Sequence, residues 1–398
     1  MLPLNWQRVR LGTYKYRRGS FPQPYGNPQW YSDNGMPFVQ VYDVGENFKL
    51  TQKTKQKISK IAQPMSVFVP KNSVIITLQG TIGRVALTQY DCYCDRTILI
   101  FDNNTLNDVN KYFFVLSLFT KFEEEKRKAD GSIIKTITKQ TLKDFEIPLP
   151  PLNEQIAIAN ILSGLDRYLC ALDALILKKE GVKKSLSFEL LSQRKRLKGF
   201  NQAWQRVRLG TYKYRRGSFP QPYGNPQWYS DNGMPFVQVY DVGENFKLTQ
   251  KTKQKISKIA QPMSVFVPKN SVIITLQGTI GRVALTQYDC YCDRTILIFD
   301  NNTLNDVNKY FFVLSLFTKF EEEKRKADGS IIKTITKQTL KDFEIPLPPL
   351  NEQIAIANIL SGLDNEITSL KNKKRQFENI KKALNHDLMS AKIRVLEK

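Results

Sequence analysis

The segment Tyr14-Lys15-Tyr16-Arg17-Arg18-Gly19 interleaves aromatic rings with cations. That pattern suits contact with nucleic acid, because an arginine can grip a guanine edge through two hydrogen bonds and a tyrosine hydroxyl can reach phosphate. The segment reads as a loop. Gln23, Tyr25, Asn27, Gln29 and Trp30 follow it and form a polar, aromatic stretch suited to base edges. Lys53, Lys55, Lys57 and Lys60 place four ammonium groups within eight residues. Lysine acts as a point charge, so this set is expected to position phosphates rather than read bases. Gln79 and Arg84 flank Gly80-Thr81-Ile82-Gly83, a turn where backbone can approach a duplex, and Lys135, Thr136, Thr138 and Lys139 form a further basic stretch. Any one of these residues is equally at home on a solvated surface; the argument for DNA contact rests on the set.

Residues able to do more than bind are scarce. The single histidine is His386, far from the segments above, so no Ser-His-Asp or Cys-His arrangement can form around them. No G-x-x-x-x-G-K-[ST] loop is present, and Gly80–Gly83 reads as a tight turn rather than a nucleotide site. The Asn-Pro-Pro-aromatic signature of amino-methyltransferases is missing. Asp91 and Asp95 straddle Cys92 and Cys94, and Glu123–Glu125 belong to a helix surface. The five cysteines (Cys92, Cys94, Cys170, Cys290 and Cys292) are odd in number and lack a framework spacing, which predicts reduced thiols and a cytoplasmic location. The Cys-x-Cys pair is too close for zinc and predicts a strand, so no metal is expected. Met1–Asn5 is neutral and the best apolar run, Tyr112–Thr120, is too short for a membrane span, so neither a signal peptide nor a membrane partner is expected.

All of these candidate contacts occur twice. Trp6 to Asp166 returns without a change as Trp204 to Asp364, 198 positions on, over 161 residues. The second set is therefore Tyr212, Lys213, Tyr214, Arg215, Arg216, Gln221, Lys251, Lys253, Lys255, Gln277, Arg282 and Lys333. A period this long excludes a solenoid and gives each copy enough chain for its own core. The net charge of +23 points to a polyanionic partner. Each copy carries 21 basic and 15 acidic residues, whereas the 76 residues outside the copies carry 18 and 7, so the connecting segments are the more basic per residue.

The elements that must position these residues follow from patterning. Met36–Tyr42, Ser66–Val69, Ser73–Leu78, Arg84–Leu87 and Thr97–Phe101 are rich in Val and Ile and predict short strands. Asn110–Lys128 predicts a helix, and Pro148-Leu149-Pro150-Pro151 ends the domain. From Asn153 the texture changes. Ile158, Leu162, Leu165, Leu169, Leu172, Ile176, Leu186 and Leu190 recur at spacings of three and four, as do Ile356, Leu360, Leu363, Ile367, Leu370, Phe377, Leu384 and Leu388. Each series predicts a helix of about 65–70 Å whose apolar seam, interrupted at Lys179 and Lys374, pairs with the other. The expected domains are a first recognition domain at 1–150, a helical region at 151–200, a second recognition domain at 201–348 and a C-terminal helical region at 349–398.

Three motifs carry a family resemblance. Each copy opens with Trp6-Gln7-Arg8-Val9-Arg10-Leu11-Gly12, passes through Gly80-Thr81-Ile82-Gly83-Arg84-Val85-Ala86-Leu87, and closes with Ile147-Pro148-Leu149-Pro150-Pro151-Leu152-Asn153-Glu154-Gln155 before a long helix. The chain resembles the specificity (S) subunit of type I restriction–modification systems over essentially its whole length. The resemblance implies an α+β fold in which two target recognition domains are separated by two long helices, pseudo-two-fold symmetric about an antiparallel coiled coil. It also implies a non-catalytic subunit that binds double-stranded DNA with two modification subunits and restriction subunits. No cofactor is expected in this chain; S-adenosylmethionine belongs to the modification subunit. Base-reading residues vary within the family, so the contacts above rest on their chemistry alone. The departure is the identity of the two domains, which predicts an interrupted palindrome read by Arg17, Arg18 and Gln23 and by Arg215, Arg216 and Gln221. Two alternatives stand beside this reading: a self-contained DNA methyltransferase or nuclease, and a basic coiled-coil scaffold that binds nucleic acid without specificity.

Overall fold

The structure, a computed structural model, describes residues 3, 5–45, 47–128, 139–243, 245–326 and 337–395. It divides into two compact units, Met1–Ala174 with Asn372–Lys398, and Leu175–Lys371. Each unit therefore holds one copy of the repeat together with parts of both tails.

In the first unit the globular part carries strands β1 (Gln7–Arg10), β2 (Tyr16–Arg18), β3 (Tyr31–Val39), β4 (Gln56–Ile58), β5 (Val67–Val69), β6 (Val74–Thr77), β7 (Val85–Leu87), β8 (Cys92–Cys94), β9 (Ile98–Phe101) and β10 (Glu146–Leu149), with helices α1 (Lys111–Lys128) and α2 (Lys139–Asp144). One sheet has the order β2-β9-β6-β7 and is antiparallel throughout. The other has the order β4-β3-β8-β5 and contains one parallel pair, β3 with β8.

Every residue of β6 and β9 is buried, because both faces of the first sheet are covered. Alternation along the strands sorts their side chains. Val74, Ile76, Leu99 and Phe101 pack with Phe113, Phe114 and Phe122 of α1. Ile75, Ile98 and Ile100 pack instead with Val39, Val69, Cys92 and Cys94 of the second sheet. Cys92 and Cys94 are thus buried, same-face strand residues, as their spacing predicts. β1 pairs with β10, Gln7 opposite Leu149, which ties the two ends of the copy together and holds Pro148 in a two-stranded ribbon where its missing donor costs little.

Helix α3 spans Leu152–Leu191. The second copy repeats the ten strands from Gln205–Arg208 to Glu344–Leu347, with α4 (Lys309–Lys326), α5 (Lys337–Asp342) and α6 (Leu350–Met389). At 40 residues each, α3 and α6 are about 60 Å long, somewhat shorter than the periodicity predicts. Within the first unit Asp173 pairs with Lys374, and Asp166 with Lys381, so the two helices run antiparallel there. In the second unit Lys179 pairs with Glu366 and Lys183 with Asp364, again antiparallel. Lys179 and Lys374 do not interrupt the pairing: each replaces an apolar contact with an ion pair between the helices. Ile158, Leu162, Leu172 and Ile176 are buried, whereas Leu169 is only half-buried.

Candidate nucleic-acid interface

Tyr16-Arg17-Arg18 is an edge strand and not the loop that its composition suggests. Pairing with β9 fixes its alternation, so Arg17 and Arg18 point to opposite faces and cannot share one base pair. The Arg17 guanidinium donates to the carbonyl of Phe68 at 3.0 Å, and Arg215 donates to that of Phe266 at 2.9 Å. Arg18, Lys15 and Gln23 are exposed, as are Arg216, Lys213 and Gln221. Tyr14 and Tyr212 are buried and not on the surface that their sequence neighbours suggest. Their rings are buried and meet Phe114 and Phe312 edge-on, and burial pushes both hydroxyl pKa values up. Tyr16 and Tyr214 are half-buried against Phe101 and Phe299.

The lysine cluster stays on the surface. Lys53, Lys55 and Lys57 are all exposed, as are Lys251, Lys253 and Lys255. Lys57 lies in β4 and donates to the Asp33 carbonyl at 2.9 Å, and Lys255 repeats this on Asp231. Lys55 sits 4.3 Å above the ring of Tyr42, itself 43% exposed, and Lys253 sits over Tyr240 at 4.4 Å. Gln79 and Gln277 are exposed beside the glycine turn. Arg84 and Arg282 are half-buried, with a guanidinium nitrogen 3.1 Å from the carbonyls of Val44 and Val242, so they brace the fold beneath that turn. The turn itself needs glycine: Gly83 has φ +76° and a Cβ there would meet Phe122 at 2.9 Å. Lys135 and Lys333 lie outside the described residues.

The fold adds a group that the sequence does not bring together. Asp95 is buried, and its carboxylate accepts the hydroxyls of Tyr25 and Thr97 and the backbone N–H of Arg96. Desolvation and that carboxylate push the Tyr25 hydroxyl far above its ordinary pKa, so it remains a neutral donor. Phe21 packs on Tyr25 at 5.1 Å, and Tyr31 donates to the Tyr25 carbonyl at 2.7 Å. Over the ring so fixed lies the exposed Arg96 guanidinium, 5.4 Å from its centroid. Burial first, and then nearby charge that includes Asp95, pushes the Tyr31 and Tyr42 hydroxyls up as well. Asp293, Tyr223 and Arg294 repeat the group in the second unit. Tyr25 and Asp95 are 70 positions apart, so only the Arg next to the Asp-flanked Cys-x-Cys could have signalled the group.

Each globular part thus offers an exposed cationic and aromatic face braced by buried hydrogen bonds. Among the described residues no group of His, Cys, Asp and Glu could hold a metal ion, and no helix is long and apolar enough to cross a membrane. His386 is exposed, with Nε2 3.2 Å from Nζ of Lys392.

The family model described as type I restriction modification DNA specificity domain matches residues 24–179 and again 224–379. The chain belongs to this family, as a specificity subunit carrying the domain twice. It is 23% identical over 422 aligned residues to the type I restriction enzyme MjaVIII specificity subunit of Methanocaldococcus jannaschii, covering 99% of this chain and 94% of that protein. To the MjaX specificity subunit of the same organism it is 28% identical over 298 residues, covering 71% and 68%. The crystal structure of a type I restriction–modification S subunit from M. genitalium shares the fold with a TM-score of 0.63 at 18% identity, over 97% of this chain and 98% of that one.

Proposed function

We propose that this chain supplies the DNA sequence recognition of a type I restriction–modification complex and leaves the chemistry to modification and restriction subunits. The target is an interrupted palindrome. One observation carries this reading: the two globular parts are identical in sequence and are held by the same contacts to the helices, 198 positions apart. Identical surfaces read identical bases. An antiparallel helix pair has a two-fold axis across it, and the two strands of DNA are related by a two-fold axis too, so the second domain would meet its bases on the opposite strand. The exposed lysines supply affinity through phosphate, and the arginine–tyrosine face supplies choice of base.

Mapping methylated bases in a genome that carries the chain with its modification subunits tests the proposal. The expected motif is one half-site, an unread spacer and the same half-site inverted. Two unrelated halves, or a direct repeat, would overturn the two-fold arrangement. Methyl transfer by the purified chain alone would favour the self-contained enzyme, and equal binding to random DNA the scaffold.

A further inference from the structure

The copies agree at every position and the tails after them do not, so the positions that the tails still share are informative. Between 167–177 and 365–375 only Leu172 and Leu370 match. Further on the matches return at Glu180, Lys183, Lys184, Leu186, Leu190, Ser192 and Arg196, with Glu378, Lys381, Lys382, Leu384, Leu388, Ser390 and Arg394. Four of these pairs touch a globular part. Leu186 and Leu190 pack into the core of the second unit, and Leu384 and Leu388 into that of the first. The other two pairs form polar anchors.

At the first anchor, Asp166 of α3 accepts the hydroxyl of Tyr112 from α1 and the ammonium of Lys381 from α6. The same ammonium lies 5.3 Å from the centroid of Phe48. In the second unit Asp364 accepts Tyr310 and Lys183, and Lys183 lies 5.3 Å from Phe246. Only 18–20% of the Lys381 and Asp166 side chains is exposed, so water screens the pair weakly. At the second anchor, Glu154 is almost fully buried and accepts from Nε1 of Trp6 at 3.1 Å and from Arg394 at 3.3 Å. Glu352 accepts Trp204 at 3.0 Å and Arg196 at 2.8 Å. Each domain is thus fastened to its own helix and, at both anchors, to the tail that follows the other copy. A domain joined only through Pro150-Pro151 could swing; one held at two separated points has its angle fixed.

We propose that Lys381 and Lys183 are positioning residues. Through Asp166–Tyr112 and Asp364–Tyr310 they fix the angle of each recognition domain on its helix pair, and that angle selects the spacer length the chain accepts. The inference rests on the proposed reading of a bipartite DNA site.

The test is selection from random duplexes by the full chain, alone and with its modification subunits, scoring half-site bases and spacer length separately. The double variant Lys381→Met/Lys183→Met should select the same half-site bases while its preference for one spacer falls about tenfold. Lys381→Arg/Lys183→Arg should restore the preference. Tyr112→Phe/Tyr310→Phe removes only two hydroxyls, keeps the fold, and should flatten the spacer profile to a lesser degree. A variant that loses affinity equally at every spacer, with the profile unchanged in shape, overturns the positioning role. Failure of the unaltered chain to select any bipartite motif overturns the DNA reading itself, and this inference with it.

Discussion

The two recognition domains agree residue for residue, and the two tails have drifted apart while keeping their anchors. One site shows what was free to change. Phe188 carries Arg194 over its ring at 4.7 Å; 198 positions on, the same two places hold His386 and Lys392, with ring nitrogen and ammonium 3.2 Å apart. The pairing of a ring with a cation survives, although its chemistry does not. At Lys183 and Lys381, and at Arg196 and Arg394, no such drift is seen, because each faces an acidic partner that belongs to an unchanging copy of the repeat, and each lysine faces an aromatic ring of that copy as well. The tails thus answer to two constraints, a loose one from each other and a strict one from the domains.

The most severe challenge to the domain side of this comparison is removal of its charge. Replacing Lys53, Lys55, Lys57, Lys251, Lys253 and Lys255 with alanine should weaken binding to all sequences alike. The slope of log K against log salt should flatten by about 0.9 for each phosphate that is no longer neutralised. A changed base preference at constant slope would make these lysines readers.

On the tail side, Arg394→Met and Arg196→Met each leave a buried glutamate with, among the described residues, a tryptophan N–H as its remaining side-chain donor. Each should cost about 3 kcal/mol, read from chemical denaturation of the unit concerned. Equal costs would confirm that the anchors are equivalent; a silent Arg394→Met beside a damaging Arg196→Met would break the equivalence.

These anchors also mark the limit of what the sequence discloses. The repeat, the paired helices and the buried Cys-x-Cys strand are legible because each has a period. The strands Tyr16–Arg18 and Gln56–Ile58 are not: three residues dominated by polar or charged side chains, with Ile58 the one aliphatic core residue, are too few to show alternation, and only pairing to β9 and β3 makes them strands. Tyr14 reads as surface because its neighbours are cations, yet a single residue of an edge segment can turn inward against Phe114. Arg394 and Glu154 lie 240 positions apart, beyond any local pattern. Their one signal is that Arg196 and Arg394 agree at the repeat spacing where most of their neighbours differ.

The helix seam sharpens the comparison at smaller scale. Periodicity treats Leu162 and Leu169 as equals, but Leu162 is fully buried against the first domain and Leu169, two turns further along the same helix, is only half-buried. Leu162→Ala should cost about 3 kcal/mol and Leu169→Ala about 1 kcal/mol, because water already reaches part of the second site. For the same reason Leu169→Asp should be tolerated better than a charge at Leu162. Equal losses would mean that the pairing of helices, rather than their grip on the domain, dominates stability.

The finest comparison lies between the two arginine–tyrosine faces. Arg96 is exposed and oriented by a ring that Asp95 holds in place, so little side-chain freedom remains to be lost on binding. Arg17 has one arm already engaged by the Phe68 carbonyl. Arg96→Ala should therefore reduce discrimination at one base position of one half-site by about 1–3 kcal/mol, and Arg17→Ala by less. Arg294→Ala should do the same to the other half-site, and the double variant should relax both. The measurement is competition between the selected site and single-base variants in each half. If Arg96→Ala weakens every sequence equally, Arg96 holds phosphate. If Arg96→Ala and Arg294→Ala act with different strengths, the two identical faces do not meet equivalent bases, and the palindrome fails even though the domains themselves are the same.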